Sequence, residues 1–563
     1  MKPMARPSVI RISVLTVVLS LVVVCVIEYV LPRVSGDKET REARRLIAQI
    51  LSAQHLAGRA RQGRPALMTP EQLFAAKARL IQMGGDAVDP LVERLEDDDP
   101  AVRLWAVDFL TRLGPVATPK LCTVLRTGSP DARVAAASAL ASLRDDRAFD
   151  AIVPLLSHER PDLREIAVHA LGAIPHERVV PHLIPLLADP SEKVRGAGAA
   201  ELGTLADERA VDALIQALSD PSPWVREQAA YALGEIRDTR ARPHLLKALQ
   251  DQDEHVRYAA ALVLGSMPDP DLADALIAAL SDAYPPVRRA AAYALGKVGD
   301  PRAIPPLLKA LSDDQPGPPF HSIGSVPSAP VAADAATALG RLHAEAAVQP
   351  LIALLRSPIV DNRIAAVTAL GDLAKVEGAP ALLERMSDMR HEVVLAAARA
   401  LAKIPRSVPQ ADVEKAAASD ARPVAKLAYK YVLFRWGQTD KLKEILPPPG
   451  AEGSISFEAV ELLSDTNAPR VIAALLAGVR RGEKGTAAHC ADALAKSGDD
   501  AVVPDLLQVF EASPPIPVRC ALVRTLAAIG SPRAVAAVKK ATSDESFAVR
   551  REARRALRVH GGR

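Results

Sequence analysis

Asp-Pro-Ser-Glu-Lys-Val-Arg-Gly-Ala-Gly-Ala-Ala-Glu-Leu-Gly-Thr-Leu-Ala-Asp-Glu-Arg-Ala-Val-Asp-Ala-Leu-Ile-Gln-Ala-Leu-Ser-Asp, residues Asp189 to Asp220, is one structural unit written out once. Asp189 is an expected N-cap and Pro190 an expected first-turn residue. Val194, Gly198, Ala199 and Leu202 recur at helical spacing and make one apolar face. Gly203 follows the last of them, where a helix end favours a left-handed residue, and its equivalents are Gly172, Gly234, Gly265, Gly296, Gly340 and Gly371. Val211, Leu214, Ile215 and Leu218 then mark a second helix. Two helices this short cannot bury both their faces alone, so such hairpins must stack on neighbours.

The unit recurs along the chain. Its Arg falls at Arg103, Arg133, Arg164, Arg195, Arg226, Arg257 and Arg288, then at Arg363, Arg519 and Arg550, with a first gap of 30 residues and five of 31. A Leu stands seven residues after each, from Leu110 to Leu557. Where the Arg is lost, steps of 31 from Arg363 reach Val394, Ala425, Ser456 and Ala487, each seven before an apolar residue. A period of this size predicts an all-α fold, an α-solenoid in which about 16 helical hairpins stack into a superhelix. Ala or Gly three residues after the Arg, at Ala106, Ala136, Ala167, Gly198, Ala229, Ala260 and Ala291, lets helices approach closely, and the aromatic content is only 3%.

The stretches Asp300 to Leu311 (Asp-Pro-Arg-Ala-Ile-Pro-Pro-Leu-Leu-Lys-Ala-Leu) and Val225 to Gly234 (Val-Arg-Glu-Gln-Ala-Ala-Tyr-Ala-Leu-Gly) resemble HEAT repeats of the short, phycobilisome-lyase-like class. The resemblance implies a scaffold that binds another protein. It also implies an alternative, a lyase-like accessory that helps attach or remove a prosthetic group. A third reading is a metal-dependent oxidase related to deoxyhypusine hydroxylase, which resembles this array and holds two irons through His-Glu pairs at matching places in its repeats. Here His158-Glu159, His176-Glu177 and His391-Glu392 stand at +25, +12 and −3 from their nearest repeat anchors, three registers that do not converge. His182 and His244 share a register but lie two repeats apart, about 20 Å at roughly 10 Å per step, too far to share one ion. No P-loop, Gly-x-Ser-x-Gly elbow or Cys-x-x-Cys occurs. The expectation is therefore no catalysis, no metal and no cofactor.

Ile12 to Leu31 is a run of 20 residues, nearly all apolar, with one acid at Glu28. As a helix it covers about 30 Å, the thickness of bilayer hydrocarbon. Lys2, Arg6 and Arg11 precede it, so residues 1–11 read as a short basic tail and 12–31 as an uncleaved transmembrane signal-anchor. A cleaved signal ending near Val34 to Gly36 is the alternative. Arg33, Lys38, Arg41, Arg44 and Arg45 follow the span closely, so basic residues flank it on both sides; the tail at the extreme N-terminus favours a single-pass protein with the array on the non-cytoplasmic side. Residues 32–69 read as a helical linker, 70–314 as repeats, 315–330 as an inserted Pro/Gly-rich loop, and 331–563 as repeats closed by a basic cap (Arg550, Arg551, Arg554, Arg555, Arg558). A net charge of +3 argues against a nucleic-acid partner. Self-association is left open. The four cysteines (Cys25, Cys122, Cys490, Cys520) form no disulfide framework.

The recurrent Arg is expected to be structural, crossing to an Asp such as Asp189, Asp220, Asp251 or Asp282, or to helix-end carbonyls. A second ladder at Arg147, Arg178, Arg209, Arg240, Arg302 and Arg533 is read the same way. Partner contacts are sought where the pattern varies. Five residues past each Arg the identity is free (Asp108, Ser138, His169, Ala200, Tyr231, Leu262, Tyr293), which predicts exposure. Tyr231, Leu262 and Tyr293, with Tyr258 one turn from Leu262, would form an exposed apolar-aromatic stripe; Trp224 is a further aromatic at a repeat entry. The step from Arg288 to its next equivalent, Ala332, is 44 residues, 13 more than one period. The insertion runs from Gln315 to Pro330 and offers Phe320, His321 and Ile323 to a partner.

Overall fold

Pro223 opens a helix that runs to Ile236, and Pro100, Pro130, Pro161 and Pro285 open first helices of other repeats in the same way. Pro at the first position lacks only an amide that has no intrahelical partner, and fixes φ for the helix. Val225, Ala229, Ala230 and Leu233 are buried on one side. The chain then leaves the helix at Arg237, in the left-handed region, where its amide still bonds to the Leu233 carbonyl. Asp238 caps the following 3-10 turn by accepting from the Arg240 amide at 2.9 Å, and Arg242–Ala248 forms the short second helix. The computed structural model describes residues 38–60, 69–174, 178–315, 329–404, 407–446, 455–466, 468–481, 486–497, 500–512, 514–544 and 546–561. Among these no β-strand forms, and the structure is an all-helical solenoid.

The chain divides into two units, Met1–Met267 and Pro268–Arg563. Within the first, first helices pack on first helices, as Glu192–Leu205 does on Pro223–Ile236. Each second helix packs on the first helix of the next repeat, as Val211–Ala217 does on Pro223–Ile236. The second unit repeats this from Pro285–Val298 onward. Its largest fully buried side chains are Tyr429 and Tyr431, in the helix Pro423–Arg435. Lys38–Ala60, expected as a linker, docks on the first repeat through Arg44–Glu93 at 2.6 Å and Arg79–Glu42 at 2.8 Å.

Two local expectations are corrected. The helix of the quoted repeat begins at Glu192, not after Asp189, because the Asp189 carboxylate accepts from the Ser191 amide at 2.8 Å and from an arginine of the preceding repeat. Gly203 and its counterparts are not left-handed helix ends. Gly172, Gly203, Gly234, Gly296, Gly340 and Gly371 are contact points between adjacent first helices. A Cβ on Gly203 would lie 2.7 Å from the Cα of Ala232; Gly296 meets Ala338 at 2.8 Å, Gly340 meets Ala369 at 2.9 Å, and Gly371 meets Ala400 at 2.8 Å. The left-handed residue comes three positions later, at Ala206, Arg237, Gly299 and Ala374. A non-glycine residue there costs about 1–2 kcal/mol, which the retained helix-end hydrogen bond helps to offset.

The expected membrane segment, residues 12–31, lies outside the described residues. Among the described residues no helix is long and apolar enough to cross a membrane.

Candidate protein-interaction surface

The recurrent arginines are consumed by the array. Arg195 donates through Nε and Nη2 to both carboxylate oxygens of Asp220, at 2.6 and 2.8 Å, and through Nη1 to the Asp189 carbonyl at 2.9 Å. One guanidinium thus ties its own helix entry to the next repeat. Arg164–Asp189, Arg226–Asp251, Arg288–Asp313 and Arg363–Asp388 repeat the geometry at the same separation of 25 residues, and Arg519 approaches Asp544 at 3.5 Å. Arg103 reaches Asp131 at 3.1 Å, Arg133 uses the Gly128 and Arg126 carbonyls, Arg257 the Asp251 carbonyl, and Arg550 the Asp544 carbonyl. Burial alone would raise the Asp189, Asp220 and Asp251 carboxyls. The arginine forks and the amides of Ser191, Ser222 and Asp253 outweigh it and hold all three below the usual carboxylate range.

Arg147, Arg178, Arg209, Arg240 and Arg302 of the second ladder are also paired. Arg240 bonds Asp238 at 2.8 Å and Asp212 at 2.9 Å, and Arg302 bonds Asp300 and Asp274, both at 2.7 Å. Arg178, Pro181, His182 and Arg209 line a shallow groove there; His182 stands edge-on to the Phe149 ring, and the Arg178 guanidinium lies 4.4 Å from the centre of that ring.

The stripe expected to be exposed is not. Ser138, His169, Ala200, Tyr231, Leu262 and Tyr293 are all half-buried, as is Tyr258. Asp108, at the same register, is exposed as expected. Tyr293 is further occupied by cations, with Lys297 5.7 Å and Arg341 5.4 Å from its ring centre. Trp224 is exposed at its rim and lies against Gly196, which leaves the space for its ring. His169 Nδ1 and Glu201 Oε1 are 2.8 Å apart across two repeats, and this hydrogen bond raises the His169 pKa from its ordinary value of 6.5, against the opposing effect of burial.

Sequence reasoning missed Phe74 and Leu104, 76% and 70% exposed. Each is the fifth residue of a first helix that starts at Pro, Pro70–Gln82 and Pro100–Leu113. Their shared register was visible in the 30-residue step between the two prolines.

Of the insertion, Phe320, His321 and Ile323 lie outside the described residues, whereas its two ends are described. Arg288 holds Asp313 and donates to the Gln315 side chain at 3.1 Å, and the Ala332 amide donates to the Asp313 carbonyl at 2.9 Å.

His158 accepts from the Arg160 amide at 3.1 Å, and His391 opens a helix; His176-Glu177 is outside the described residues. Among the described residues no three His, Cys, Asp or Glu side chains are grouped to hold a metal. Among the described residues Cys122, Cys490 and Cys520 form no disulfide.

No curated protein matches the chain. Among solved structures it is similar to yeast importin-beta (Kap95p), with 13% identity over 96% of this chain and 86% of that one, at a TM-score of 0.49. It is similar to Kap121p at 11% identity, over 96% and 75%, with a TM-score of 0.45. The complex of CpcE and CpcF of phycocyanin lyase from Nostoc sp. PCC7120 matches at 26% identity over 41% of this chain and 89% of that one, with a TM-score of 0.28. All three scores are below 0.5, and family membership rests on the repeats themselves. HEAT repeats match at residues 118–197, 180–254, 242–319, 323–402 and 503–562, together more than half of the chain. With its period, its helical hairpins and these matches, the chain belongs to the HEAT-repeat family.

Proposed function

We propose that this chain is a scaffold that binds another protein, without catalysis of its own. Residues 12–31 tether it as a single-pass signal-anchor, with the repeats on the non-cytoplasmic side. The observation that carries the scaffold reading is the single 44-residue step in the Arg register, whose two ends are hydrogen-bonded into the array at Asp313, Gln315 and Ala332. Insertions in repeat arrays collect on binding faces. Phe320 and Ile323 supply apolar anchors and His321 a polar one. Tyr231, Tyr258 and Leu262 in the first unit, and Tyr293 in the second, contribute only the edges that packing leaves outward.

The test is crosslinking of tagged full-length protein in its own cells, followed by purification and mass spectrometry, beside a version lacking Gln315 to Pro330. The reading expects one reproducible partner that is lost with the loop. A partner retained without the loop moves the site to the repeats. Absence of any enriched protein in both overturns the scaffold reading. Flotation of the same material with membranes, and protection of the repeats from added protease in sealed vesicles, tests the anchor and its orientation separately.

A further inference from the structure

The residue just before the recurrent Arg is apolar and buried in other repeats, as at Val194, Val225, Val256, Val287 and Val518. Before Arg363 it is Asn362, with 0% exposure. Its Nδ2 donates to Asp314 Oδ1 at 2.7 Å and to Ser357 Oγ at 3.1 Å, while its Oδ1 is buried with no hydrogen-bond partner. Turning the amide over would set a carbonyl oxygen against the Asp314 carboxylate, so the orientation is fixed by charge. A buried amide with an unmet acceptor is costly where valine serves elsewhere.

The cost coincides with a break in the ladder. At this level the Arg is replaced by Ala332, and the Asp expected 25 residues after it is Ser357. The bond that ordinarily ties these repeats is missing on both sides. In its place Asn362 reaches 48 residues back to Asp314, the last residue before the insertion. Arg288 holds Asp313 and Gln315 on either side of that contact.

We infer that Asn362 is a positioning residue: by holding Asp314 it fixes residues 313–315, the root from which the 315–330 insertion departs, and so serves partner binding rather than folding. This rests on the reading of the loop as the interaction element. A core amide retained for positioning costs stability, whereas one retained for folding adds to it, and the two roles predict opposite responses to repair.

The experiment compares full-length protein with Asn362→Val, which restores the residue type of the other repeats, and Asp314→Ala, which removes the tether's exposed acceptor without touching the core. Hydrogen exchange at the amides of residues 313–315 and 332–333 is expected to quicken by about tenfold or more in both variants. The melting midpoint of Asn362→Val is expected to be unchanged or higher. Partner recovery by crosslinking is expected to fall in both. Unchanged exchange at the root in both variants overturns the inference, as does a lower midpoint in Asn362→Val with normal exchange in Asp314→Ala. Undiminished partner recovery on deletion of the loop overturns the loop reading instead; the exchange measurements need no partner and still decide whether Asn362 fixes the root.

Discussion

Arg195 closes on Asp220 across a repeat boundary, with 14% and 7% of the two side chains exposed. The same guanidinium holds the Asp189 carbonyl at its own helix entry, and Asp189 is in turn held by Arg164. Across Arg164–Asp189, Arg195–Asp220 and Arg226–Asp251 the pairs therefore form a chain in which successive repeats are bonded one to the next. Mutual bonding of this kind couples units that could otherwise unfold separately.

Arg195→Ala is expected to cost about 3 kcal/mol, because it leaves Asp220 buried without its cation. Arg195→Lys should recover only part, since an ammonium cannot reproduce the two-pronged contact and the carbonyl bond together. Denaturant unfolding of both, closed into a cycle with Asp220→Asn, measures the coupling; a coupling near zero would assign the pair no role in stability.

The depressed carboxyls set a direction for acid. A group whose folded pKa is below its unfolded value of about 3.8 stabilises fully at neutral pH and loses that contribution as pH falls through the folded value. Melting midpoints should hold above about pH 5 and decline steeply below about pH 4. Asp220→Asn should lower the midpoint at pH 7 and flatten the decline.

His169 works in the opposite sense. Its raised pKa means that the Glu201 contact stabilises fully below about pH 6.5 and fades as pH rises through the raised value. The pair is partly exposed, so the effect should be under about 1 kcal/mol. Selective labelling of histidine and titration by NMR should show one resonance above the ordinary value, returning toward it in Glu201→Gln.

Gly203→Ala should destabilise by about 1–3 kcal/mol, because the added methyl meets backbone at Ala232 that cannot turn aside. Gly198→Ala, in the same helix, meets nothing nearer than 3.8 Å and should be neutral or stabilising by about 0.5–1 kcal/mol. Thermal melts of the two variants decide whether helix contact, rather than backbone freedom, explains the recurrent glycine.

The period was legible because stacking imposes one geometry on every copy. The repeat Arg, its seventh-residue Leu and the insertion all follow from phase alone. What phase does not reveal is which neighbour a side chain meets. Gly203 stands where a helix could end, and only the helix beside it shows that close approach is its task. Tyr231 and Tyr293 vary as surface residues do, yet both are half-buried, and Lys297 and Arg341 lie against the Tyr293 ring. The Asn362–Asp314 contact spans an insertion, so no fixed spacing announces it. Phe74 and Leu104 were readable, as equal positions in helices that open with Pro70 and Pro100.

The most direct test of the scaffold account is a binding titration of the crosslinked partner against full-length protein and a Phe320→Ala/Ile323→Ala variant. Loss of two interface anchors should weaken binding by about 30-fold or more, with the melting midpoint unchanged. Equal affinity for the two proteins would contradict the account and place the contact outside the insertion.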